Sequence, residues 1–167
     1  MNIKRAFKTM NKEGYETSWY YRLPNSDVLV SNNHIIVTVS NTSFEENKDV
    51  LKNLHENPSL LDIARKNIEQ QTTNVKETSL LYEYDNKLFR ILKPEHGRVV
   101  AVNEKYLQVF DDCEKSHSFV TTKPKTPAIR TPLFNCDVIE GTKEICDFNC
   151  ILPVLMDCEE LLNKVLN

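Results

Sequence analysis

Glycine is scarce in this chain: three residues, Gly14, Gly97 and Gly141, among 167. Phosphate-cradling loops, nucleophile elbows and dinucleotide turns all need clustered glycines, because only a residue without Cβ lets the backbone come that close to a ligand. Nucleotide-dependent chemistry is therefore not expected. No apolar run approaches the roughly 20 residues that a membrane-crossing helix requires. The opening MNIKRAFKTMNKEG is too polar for the apolar part of a secretory signal. The expectation is a cytoplasmic protein without a membrane partner.

Charge of one sign is also missing. The 24 acidic and 21 basic residues are interspersed and give a net charge of −3. Neither a basic footprint for nucleic acid nor the dense acidic tract of a DNA mimic stands out, so direct nucleic-acid binding is not expected. The five cysteines, at 113, 136, 146, 150 and 158, are odd in number and in a cytoplasmic setting would be reduced thiols. A chain of 167 residues can bury a proper core, and the expected organisation is a single domain over 1–167. The polar run QQTTNVKET at 70–78 is its one candidate subdivision or exposed linker.

What is present reads as an α+β fold, mostly antiparallel sheet with a few short packed helices. Ile3, Ala6, Phe7 and Met10 recur at helical spacing, with Gly14 placed as a C-cap. Turn residues at 24–27 and 31–33 divide a β-branched and aromatic segment into three antiparallel strands, near 18–23, 27–31 and 34–40. Ser43 and Glu46 have the spacing of a capping box for a helix with Phe44, Val50, Leu51 and Leu54 on one face. Ser59 caps the next helix, with Leu60, Leu61, Ile63, Ala64 and Ile68 inward. Asp85-Asn86 joins two strands as a tight hairpin. In RVVAVNEKYLQVFDD at 98–112 a β-branched run gives way at Asn103, a good N-cap, to a short helix carrying Tyr106, Leu107 and Phe110. Further strands and a terminal helix at 157–166 complete the reading.

The segment VNEKYLQVF at 102–110, with TP at 131–132 and ILPVL at 151–155, resembles the second half of a domain of the DNA polymerase sliding-clamp family. SNNHIIVTV at 31–39 is similar to the strand pair before the first helix of such a domain. The resemblance implies a helix-backed sheet over 80–156 and a role in DNA replication or repair. A clamp ring also needs several such domains and a basic inner face, whereas 103–112 carries Lys105 against Glu104, Asp111 and Asp112.

Candidate chemistry is thin. Cys146 and Cys150 lie four apart, as do Cys113 and His117, a spacing wider than the usual zinc knuckle. These residues read as buried thiols, and no metal or cofactor is expected. His34, at a strand entry, reads as a half-buried strand residue. The carboxylate pairs Glu45-Glu46 and Glu159-Glu160 read as first-turn charges, and Asp111-Asp112 as solvated. Two features suggest binding: the aromatic group Trp19, Tyr20, Tyr21, and the proline-spaced basic loop with Lys123, Lys125 and Arg130. The expected function is non-catalytic. The glycine-poor, asparagine- and lysine-rich composition resembles the accessory proteins of phages and mobile elements, which implies an inhibitor of a host protein such as a defence nuclease. A clamp-like module is the alternative, and a homo-oligomer is compatible with either.

Overall fold

The computed structural model describes residues 1–13, 16–68, 72–94, 99–110, 117–120, 133–135 and 149–152. Helix α1 (Ile3–Glu13) opens the chain and leads into strands β1 (Ser18–Arg22), β2 (Val28–Ser31) and β3 (Ile35–Val39). Helix α2 (Asn41–Asn47), strand β4 (Leu54–Glu56) and helix α3 (Ser59–Ile68) follow. A long hairpin, β5 (Thr72–Tyr84) and β6 (Lys87–Pro94), then reaches β7 (Val100–Asn103) and the one-turn helix α4 (Glu104–Leu107). Strands β8 (His117–Val120), β9 (Leu133–Asn135) and β10 (Asn149–Ile151) complete the described elements, so the fold is α+β.

All ten described strands join one sheet in the order β4-β1-β2-β3-β10-β9-β8-β5-β6-β7, antiparallel except for the β1–β4 pair. This order contains a repeat that the sequence does not display. A helix and three strands, α1-β1-β2-β3, is followed later by α4-β8-β9-β10, and the two meanders meet where β3 pairs with β10 through Ile36 and Cys150. Across that seam the strand order reverses, from β1-β2-β3 to β10-β9-β8. Helices α1 and α4 pack on the same face of the sheet, with Phe7, Met10, Val30, Val37, Tyr106 and Phe110 in one core. The opposite face is covered by α3, whose Leu60 and Ala64 pack on Leu29 and Ile36.

Local chemistry explains most element boundaries. Asn103 caps α4, accepting from the Lys105 amide at 2.9 Å. Asp85 and Asn86 have φ of 50° and 57°, the left-handed pair that a two-residue hairpin between Tyr84 and Lys87 requires.

Six expectations are corrected. Residues 72–78 are not a linker: they form the first half of β5, pairing with both β6 and β8. A register shift between Glu77 and Leu81 accommodates the polar residues there, with the Thr78 hydroxyl donating to the Ile91 carbonyl at 2.7 Å. The cap of α2 is Ser40, whose oxygen accepts from the Ser43 amide at 3.2 Å, and not Ser43. That helix ends at Asn47 because a tighter turn over Lys48–Val50 takes over, and Leu54 lies in β4 beside β1. Glu45 and Glu46 consequently occupy its last turn, where Glu45 is held by Arg22 and Lys48 rather than by a dipole. In α3, the Asn57 side chain accepts from the Ser59 amide at 3.0 Å, and Ile63 stands on the exposed flank at 43% exposure.

The two α1 and α4 helices are joined to the sheet through Asn32, a fully buried amide in the β2–β3 turn. It donates to the Met10 carbonyl at 2.9 Å and the Tyr106 hydroxyl at 3.0 Å, and its oxygen accepts from the amides of His34 and Ile35. Replacing Asn32 by Ala leaves several buried polar groups unsatisfied, and the expected loss is about 3 kcal/mol in urea unfolding. Asn33→Gly, next in sequence, fits the left-handed backbone at φ 72° and is expected to shift stability by less than about 0.5 kcal/mol.

Candidate functional site: a basic groove along the first helix

Helix α1 separates its residues cleanly. Ala6, Phe7 and Met10 are fully buried, while Lys4, Arg5, Lys8 and Lys12 are exposed on the other side. No acidic residue interrupts α1 before Glu13. At 1.5 Å rise per residue, Lys4, Lys8 and Lys12 form a row of cations about 6 Å apart.

Two further cations are brought to that row from distant parts of the chain. Asn11 accepts from the Lys52 amide at 3.2 Å and donates to the Val50 carbonyl, which lays the turn after α2 against α1. Lys105, in the first turn of α4, is held by Glu13 at 2.5 Å. The result is an open groove of about 710 Å³ lined by Lys4, Arg5, Lys8, Lys12, Lys52 and Lys105. Polar Asn2, Thr9 and Asn11 lie between them, and among the described residues Glu13 is the single acidic side chain of the lining and none is aromatic.

Glu13 is 8% exposed and has its charge compensated locally. Asn103 donates to Oε2 at 3.1 Å and the Lys105 ammonium to Oε1 at 2.5 Å. Burial pushes the carboxyl pKa up, but the hydrogen bonds from Lys105 and Asn103, with the charges of Lys105 and Lys87, outweigh it and hold the group below its ordinary value. Behind this clasp, burial pushes the Tyr106 phenol up to about 12, against a hydrogen bond from Asn32. Tyr106 therefore stays neutral and stacks on His34, with ring centroids 6.2 Å apart.

The residues singled out from the sequence fall elsewhere. Tyr20 faces the α1 side and packs on Phe44 with ring centroids 5.2 Å apart, whereas Trp19 and Tyr21 pack on the α3 side. The period-two alternation of a strand divides the trio, so no single patch contains all three. Lys123, Lys125 and Arg130 lie outside the described residues, as do Cys113, Cys136, Cys146, Cys158, Asp111, Asp112 and the segment 157–166 expected to be helical. Cys150 is buried among Leu29 and Ile36, and burial pushes its thiol pKa up, which makes it a poor nucleophile. Among the described residues no group of three or more His, Cys, Asp or Glu side chains is arranged to hold a metal. Among them, too, no helix is long and apolar enough to cross a membrane.

Neither the net charge of the whole chain nor that of 103–112 reveals the groove. The readable signal was the i, i+4 recurrence of Lys4, Lys8 and Lys12 on the face opposite Ala6, Phe7 and Met10. Lys52 and Lys105 join it only through folding. No family model, curated protein or solved structure matches this chain.

Because the folded-state pKa of Glu13 is lowered, its ionised form stabilises the protein above the unfolded glutamate value near about 4.3. That contribution is lost as pH falls through the lowered folded value. Glu13→Gln should therefore unfold more readily than the parent at neutral pH, with the difference shrinking toward acid. Urea midpoints measured across that range read the trend directly.

Proposed function

We propose that this protein acts non-catalytically by holding the phosphate backbone of DNA in the groove along α1, as a sliding-clamp-like module in replication or repair. The observation that carries this reading is the row of cations on α1, joined by Lys52 and Lys105 into one groove. A single small anion needs one or two such groups, whereas a row spaced at about 6 Å suits a polymeric anion whose charges repeat along an axis. Among the described residues the lining holds no aromatic side chain, which favours a duplex gripped through its backbone over stacking of unpaired bases. Such contacts position the nucleic acid and carry no base sequence information.

The arrangement of the sheet supports the same reading. Two helix-plus-three-strand units place α1 and α4 side by side on one face, which agrees with the resemblance of 102–110 to a clamp domain. The groove lies along that face. An inhibitor of a host protein, expected from composition, would instead use apolar surface, such as the exposed Leu80, Leu81, Tyr84 and Leu88 of the β5–β6 hairpin.

Fluorescence anisotropy with a short duplex of mixed sequence tests the proposal. Binding is expected at low salt, falling steeply as salt rises, with little preference between duplex sequences. Lys8→Gln combined with Lys12→Gln should weaken binding about tenfold or more and reduce the salt slope by nearly two. No binding at low salt, or binding unchanged by that double substitution, refutes the reading.

A further inference from the structure

Lys105 differs from the other cations of the groove. Its side chain is 55% exposed and lines the groove, yet its ammonium is already engaged by Glu13, whose own side chain is 5% exposed. The carboxylate cannot follow Lys105 outward, because Asn103 fixes its other oxygen and the α1–α4 contact encloses it. A ligand phosphate can recruit Lys105 only by drawing it away and leaving a buried carboxylate with less compensation, which is costly.

We propose that Glu13 is an internal competitor for the groove's ligand: its carboxylate occupies Lys105 in the place of a phosphate and thereby sets the affinity of the groove. This rests on the phosphate-binding reading above and assigns a regulatory residue within it. In the resting state Lys4, Arg5, Lys8, Lys12 and Lys52 carry the attraction, and Lys105 is held in reserve. Any event that neutralises Glu13 releases a sixth cation into the groove. Among the described residues the charged and titratable groups facing Glu13 are Lys105 from α4, Lys87 at the start of β6 and the neutral Tyr106 phenol, with Lys105 in direct contact.

A double-substitution cycle tests this with the full chain and labelled duplex DNA. Glu13→Gln is expected to tighten binding about fivefold and to steepen the salt dependence by about one released counterion. Lys105→Gln alone should change affinity less than about twofold, but in the Glu13→Gln background it should abolish the gain. Additive effects of the two substitutions overturn the proposal, because they mean that Lys105 contributes equally whether or not Glu13 is charged. If Glu13→Gln does not fold by circular dichroism, Glu13→Met, similar in size and uncharged, takes its place in the cycle. The Lys8→Gln and Lys12→Gln pair separates the two readings. If that pair weakens binding while the cycle is additive, only the competitor role fails. If the pair has no effect, the groove and the competitor fall together.

Discussion

One side chain determines how the two halves of the sheet share a face. Asn32 is fully buried, and an unpartnered amide there would cost several times the net value of an ordinary hydrogen bond. It is satisfied only if three things hold together: the β2–β3 turn takes its observed shape, α1 brings the Met10 carbonyl, and α4 brings the Tyr106 hydroxyl. Hydrophobic burial of Phe7, Met10, Tyr106 and Phe110 supplies the greater share of the packing free energy, but it is non-directional. The amide selects one arrangement among the many that would bury the same area.

That selection has a consequence at the surface. With α1 fixed against α4, the C-terminal turn of one helix meets the N-terminal turn of the other, and Glu13 falls between Asn103 and Lys105. Asn103 serves twice: its oxygen caps α4 and its nitrogen holds Glu13. The helix boundary and the electrostatics of the groove are thus set by the same residue. At the β5–β6 end of the sheet Arg90 plays a comparable part, meeting Glu104 with two hydrogen bonds at 2.5 and 2.8 Å and the Thr78 carbonyl at 3.0 Å, so β5, β6 and α4 are tied at the bulge.

The elements legible in the sequence were those whose cause is local. The amphipathic spacing in α1, the turns bounding β1 to β3, the Asp85-Asn86 hairpin and the Asn103 cap all depend on residues within a few positions of one another, and all recur in the structure. Errors arose where two local patterns competed. Ser40 and Ser43 both suit an N-cap, and the sequence pattern could not show that Ser40 alone takes extended backbone. The polar segment beginning β5 looked like a linker because a strand with a register shift can hold threonine, asparagine and glutamate without an apolar period. The site itself was less legible than the fold, since half of its argument is topological: Lys52 and Lys105 lie 53 positions apart and reach α1 through Asn11 and Glu13.

A net charge of −3 and a basic groove are not in conflict, because electrostatic recognition depends on where charges stand and not on their sum. Some of the negative charge is locally paired, as with Glu45 between Arg22 and Lys48 and Glu104 against Arg90. On α1 the cations have no such partners along the helix, since Glu13 at its end is the first carboxylate and is committed to α4. On the proposed reading, an overall negative chain with a cationic concavity among its described residues would repel polyanions elsewhere and admit them there. On that reading the combination would orient the encounter, and Glu13 holds the pivotal position, because among the described residues it is the buried charge that also lines the groove.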